Sequence, residues 1–242
     1  MPFFSVAQNS EDNNGVLKVK ATADFTITGD GTSVNWKSTE WNYIPQRSNE
    51  ALKNAGWYIS PESSNIAALQ YNTYFKILYS TNGIYLLYKC EDSVITATIK
   101  ADNLNLYDED VVEVFLMPDE NTPHYFEYEL SPLNYELALL VLDNDGKNSG
   151  WLPFMYEGKR KVTHAIKINE SNAADKRFVW TAEIFIPYNL LYSMKNIPPQ
   201  KGTKWKANFY RIDYDGSPKY SSWQLTRNSF HDYKKFGTLV FE

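Results

Sequence analysis

No segment of this chain sustains a helical pattern beyond two turns, whereas runs of 6 to 8 residues that are apolar, or alternate apolar with polar, recur along its length. Side chains of a strand change face at every residue, so runs of this length closed by Gly, Pro, Asn, Asp or Ser commit the chain to sheet. FKILYS-TNG-IYLLYKC at 75–90 reads as a hairpin, with Asn82 and Gly83 expected to supply the positive φ angles of a tight turn. Further strands are expected at 111–117, 124–131, 137–142, 162–169, 179–186, 204–212 and 236–241. Helical signals are confined to 49–54 and to 187–191, ahead of Pro198-Pro199. The expectation is an all-β chain: a single antiparallel β-sandwich of the jelly-roll kind with short peripheral helices.

The 242 residues suffice for one large domain, and no linker, repeat or low-complexity tract divides them. Residues 1–19 read as an N-terminal extension and 20–242 as the sandwich, with the loops at 143–150 and 213–222 turning at the surface. Composition adds one deviation, aromatic residues at 16%, led by 18 Tyr and 7 Trp. Such rings suit strands and also binding faces. A net charge of −5 without a Lys/Arg block speaks against nucleic acid as a partner. No stretch approaches the roughly 20 apolar residues of a membrane-spanning helix. MPFFSVAQNS has neither the basic start nor the apolar length of a signal peptide and would suit a chain beginning after a removed one.

Catalytic motifs are sparse. His124, His164 and His231 lie far apart in no zinc-binding spacing, no nucleophile elbow or phosphate loop occurs, and Cys90 ends a strand alternation typical of a buried thiol. Carboxylates carry more information. In HYFEYEL, Glu127 and Glu129 share one face while Phe126, Tyr128 and Leu130 take the other, and Glu113 sits in the neighbouring strand run. These suit a solvated face, a polar binding face, or the acid pair of a glycosidase.

The segment LYDEDVVEVFLMPDENTPHYFEYELSPLNYELALL (106–140), followed by WTAEIFIP, GTKWKANFYRID, Ser222-Trp223 and NSFHDYKKFGTLVF (228–241), resembles the family 9 carbohydrate-binding modules. GDGTSVNWKSTEW (29–41) is similar to the family's opening and FKILYSTNGIYLLYKCED (75–92) to its first central hairpin, so the resemblance covers most of 20–242. It implies a non-catalytic sandwich that holds a sugar between two aromatic side chains, here Tyr107 and Phe230, where typical members have Trp. Glu113 and Asn228 match the family's polar contacts, and His231 and Arg211 are further candidates. Where the family often has a basic residue on the next strand this chain has Glu129, which implies a different hydrogen-bond pattern and sugar. Trp223 is expected in the core.

The resemblance further implies mono-, oligo- or polysaccharide partners, work beside glycoside hydrolases, an exported location and no cofactor. Structural calcium, with oxygens from Asp92, Asp102, Asp108 and Asp110, is the one metal considered. Two other readings remain open: a small glycan hydrolase using Glu113 with Glu127 or Glu129, and a sandwich interaction or haem-sensor domain like the DOMON folds, with His124, His231 and Met155 as available ligands.

Overall fold

The computed structural model describes residues 15–61, 70–122, 124–144, 147–154, 156–169 and 177–242. Among the described residues the 13 strands are β1 (Val16–Ala21), β2 (Asn42–Ile44), β3 (Thr73–Tyr79), β4 (Gly83–Asp92), β5 (Val111–Met117), β6 (His124–Leu130), β7 (Glu136–Asn144), β8 (Lys147–Pro153), β9 (Thr163–Ile168), β10 (Phe178–Pro187), β11 (Lys204–Asp213), β12 (Lys219–Ser222) and β13 (Gly237–Phe241). Two short helices, α1 (Asn49–Asn54) and α2 (Tyr188–Leu191), lie where the sequence places them.

The strands run in the order β8-β7-β6-β5-β11-β13-β1-β3-β4-β10-β9, with β12 beside β11 and β2 beside β3. Strand β1 divides this path into two sheets. Val16–Val19 pairs with β13, and Lys20–Ala21 pairs with β3. Both pairings are parallel, so the otherwise antiparallel sandwich has a parallel seam that the sequence does not announce. Since β1 begins at Val16, residues 16–19 of the expected extension are part of the sheet; residues 1–14 lie outside the described residues.

The two sheets face each other through an apolar interior. Ile84, Leu86, Tyr88 and Cys90 of β4 meet Val112, Val114 and Leu116 of β5, Phe126, Tyr128 and Leu130 of β6, and Phe209 of β11. Phe75 stacks on Phe209 across the gap at 3.8 Å, and Trp223 closes on both, as its expected core role requires. Each such ring contributes about 1.5–3 kcal/mol on burial. Cys90 is buried there, its thiol pushed up to about 12 by desolvation, which leaves it inert.

Burial also explains why several strands are apolar on both faces rather than alternating. Beyond the interior, Tyr85 and Leu87 of β4 pack under Trp36 and Phe25, and Val111, Phe115 and Met117 of β5 pack under a loop-borne cluster on the opposite outside.

One turn differs from expectation. Neither Asn82 nor Gly83 has positive φ; the turn closes through Ser80 N–H to the Gly83 carbonyl at 2.9 Å. Gly83 is required for another reason: a Cβ there would collide with the Ile186 carbonyl of the neighbouring strand β10.

Candidate functional site

The outer face of the β5–β6–β7–β11 sheet carries a cavity of about 390 Å³. Period-two alternation sets its floor. With Val112, Val114 and Leu116 turned inward, Glu113 and Phe115 face out, as do Glu127 and Glu129 opposite Phe126, Tyr128 and Leu130. In register, Glu113 stands directly across from Glu129, and Phe115 across from Glu127.

Loops build the walls. Tyr107 sits in a single turn (Leu106–Asp108) anchored by the fully buried Leu106. The acidic run after it has three separate jobs: Asp108 lines the cavity, Glu109 accepts from Ile99 N at 2.9 Å, and Asp110 accepts from Thr96 N and Tyr214 N at 2.6 and 2.8 Å. Through that last bond Asp110 fixes the loop carrying Tyr214, whose hydroxyl donates to the Tyr107 carbonyl at 2.9 Å.

Trp57 arrives from α1. Ser48 caps the helix start, and at its end Gly56, with φ +88°, bonds back to Lys53 while Trp57 N–H bonds to the Leu52 carbonyl. This pair of bonds is a Schellman closure, which needs a residue without Cβ at Gly56 and throws the next side chain across the helix end. Asn228 belongs to this closure. Its N–H donates to the Ala55 carbonyl at 3.0 Å, its side chain lies against Gly56, and its φ of +63° turns the chain toward Phe230.

Phe230 is therefore a wall of a ring cluster. It stacks on Tyr210 at 4.0 Å and meets Trp57 and Tyr220 edge-on at 5.1 and 5.9 Å. The Tyr210 hydroxyl holds the Phe230 carbonyl at 2.8 Å. His231 follows, stacked on Phe115 at 5.4 Å, with Nδ1 at 2.6 Å from the Tyr125 hydroxyl and 3.8 Å from Glu127 Oε2. Burial pushes its pKa down to about 4, so the ring is neutral.

The carboxylates are the electrostatic centre. Glu113, Glu127 and Glu129 are 2%, 4% and 0% exposed, and Glu113 Oε1, Glu127 Oε2 and both Glu129 oxygens meet no donor in hydrogen-bonding geometry. Desolvation holds Glu113 and Glu129 well above the usual carboxylate range, with neighbouring negative charge adding to it, and lifts Glu127 to about 8.

Of the seven residues singled out from sequence, the cavity lining includes Tyr107, Phe230, Glu113 and His231. Glu129 adjoins Glu113 in the same acidic floor, and Asn228 supports the wall from behind. Arg211 is elsewhere. Alternation along β11 turns it into the sandwich interior, where it is 1% exposed and pairs with Asp92 at 2.9 Å and with Asp213. The lining also includes Trp57, Trp151, Tyr214 and Tyr220, none of which the sequence marked.

The four aspartates considered for calcium do not form a site. Asp92 faces Arg211, Asp110 holds two backbone amides, Asp102 accepts from Glu136 N, and Asp108 faces the cavity. Of the haem-ligand candidates, His124 is not in the cavity lining and Met155 lies outside the described residues.

A sandwich with a ring-walled, acid-floored pocket on one outer sheet face is built as a binding domain. A family model for carbohydrate-binding family 9 matches residues 60–241, and the chain belongs to that family of non-catalytic modules. Among solved structures, a candidate carbohydrate-binding protein from Bacteroides uniformis superposes with a TM-score of 0.67 at 20% identity, over 94% of this chain and 99% of that one. A family 9 module from Caldicellulosiruptor kristjanssonii, solved with glucose, gives 0.60 at 16% identity over 94% and 95%. A family 9 module from the same organism, solved with cellotriose, gives 0.59 at 16% identity over 94% and 93%. A curated relative described as an extracellular protein of Arthroderma benhamiae is 22% identical over 142 residues, 57% of this chain. The match spans 62% of that relative's length.

Proposed function

We propose that this protein is a non-catalytic carbohydrate-binding module whose sugar sits in the cavity on the outer face of β5, β6 and β11, gripped by Tyr107 and Phe230 and oriented by Glu113. The observation that carries the reading is the combination of ring walls with carboxylate oxygens that no protein donor satisfies. A pyranose has apolar C–H faces and a rim of hydroxyl donors. Rings cover the faces, and the hydroxyls complete the open acceptors. Each ring contact contributes about 0.5–1.5 kcal/mol beyond area burial by analogy with aromatic pairs, and each hydrogen bond about 0.5–1.5 kcal/mol. Offset by ordering costs, these terms give dissociation constants of roughly micromolar to millimolar.

Family membership and the sugar complexes of the structural relatives support this reading, as does the extracellular description of the curated relative for an exported role beside polysaccharide-degrading enzymes. The test is titration calorimetry of the intact chain against mono- and oligosaccharides, with sugar turnover assayed in the same samples. Binding without turnover is expected, weakened about tenfold or more in Tyr107→Ala, a half-buried position whose truncation spares the core. Turnover would instead assign Glu113, Glu127 and Glu129 to glycoside hydrolysis.

A further inference from the structure

The acidic floor is unusual in what it lacks. Among the described residues lining the cavity none is Lys or Arg, and the neighbouring His231 is neutral. Among the described residues no Lys or Arg side chain lies over the rings of Trp57, Tyr107, Tyr214, Tyr220 or Phe230 either. Burying carboxylates without a counter-charge costs several kcal/mol, and an outer strand face that needed only packing would carry apolar residues, as it does at Phe115 and Leu139. Elsewhere this chain compensates buried acids, with Arg211 at Asp92 and Asp213 and with neutral donors at Asp110 and Glu183.

We propose that the ligand brings the missing cation: the pocket takes an amino sugar with a free, protonated amine, a glucosamine unit of an oligosaccharide. This rests on the carbohydrate-binding reading above and narrows it. An ammonium offers three donors, and Glu113 Oε1 and Glu127 Oε2 are the open acceptors of the cavity lining, with Glu129 behind them across from Glu113. The faces of the surrounding rings attract the same charge while covering the sugar's C–H surface. The raised carboxyl pKa values add a signature. A cation ionises these groups on binding and drives their protons into solution, whereas a neutral sugar leaves them in place.

The test is calorimetry on the intact chain, dialysed against a chelator, with glucosamine, N-acetylglucosamine and glucose and the β-1,4-linked trimer of each. It is run near pH 7 in two buffers of different ionisation enthalpy. The amine sugar is expected to bind at least about tenfold more tightly than both neutral sugars, with a buffer-dependent heat that reports proton release, and Glu129→Gln is expected to narrow the preference. Equal affinity for glucosamine and glucose without buffer dependence would overturn this proposal and leave carbohydrate binding intact. No heat with any of the sugars would overturn both.

Discussion

Both outer faces of the sandwich bury glutamate under aromatic cover, and they treat it in opposite ways. On β10, Glu183 is fully buried, with Oε1 accepting from Trp36 Nε1 at 2.6 Å and Oε2 from Thr28 N, Gly29 N and the Thr28 hydroxyl at 2.7, 2.6 and 3.0 Å. The N-terminal loop is folded down onto that carboxylate. On β5 and β6, Glu113, Glu127 and Glu129 are equally buried, yet four of their oxygens meet no donor. A fold that can satisfy a buried acid so completely on one face does not need to leave three open on the other, and the proposed binding site rests on that difference.

Matched Glu→Gln substitutions test this contrast. At Glu183 the amide nitrogen turns toward groups that already donate, so Glu183→Gln is expected to lower the unfolding free energy by about 2–4 kcal/mol, read from urea denaturation. A loss below about 1 kcal/mol would break the contrast. The second effect is one of pH. The pocket carboxyls hold their protons more tightly folded than unfolded, Glu127 at about 8 against an ordinary 4.5, so the folded chain binds more protons in that interval and stability falls as pH rises through it.

His231, depressed to about 4, acts oppositely but only below its ordinary 6.5. Between about pH 6.5 and 8.5 the unfolding free energy is therefore expected to drop by more than about 1 kcal/mol, less so in a chain carrying Gln at Glu113, Glu127 and Glu129 together. An unchanged slope in that variant would place the titration elsewhere, in Asp92 or Asp110, which burial also raises. The smallest effect belongs to Glu129→Gln alone, which at about pH 8 is expected to leave stability within about 1 kcal/mol or to raise it.

What could be read from the chain follows from where its causes lie. β5 and α1 match their expected bounds because both are set locally, one by an apolar run and the other by Ser48 ahead and Gly56 behind. β8 and β12, within KNSGWLP and KYSS, carry little apolar signal and are strands because β7 and β11 offer them partners. The same limit applies to the site. Glu113, Tyr107, Phe230 and His231 belong to short motifs, whereas Trp57 reaches the pocket only through a helix closure, and Tyr214 and Tyr220 sit in a stretch that reads as a surface turn. The density of aromatics in DYDGSPKY was the available signal. Arg211 shows the converse: alternation separated it from Tyr210, and only its burial between Asp92 and Asp213 showed which face it took.

Strand β1 has a bearing on how the molecule is assembled. Val16 pairs with Thr238 and Val19 with Phe241, so the seam between the sheets joins segments 238 − 16 = 222 residues apart. Loop-closure entropy makes such a contact among the last to be repaid. Until β13 has emerged and docked, β11 and β1 each present an open edge to any other extended segment nearby, and on the ribosome the apolar interior stays unsealed while every strand between them is made.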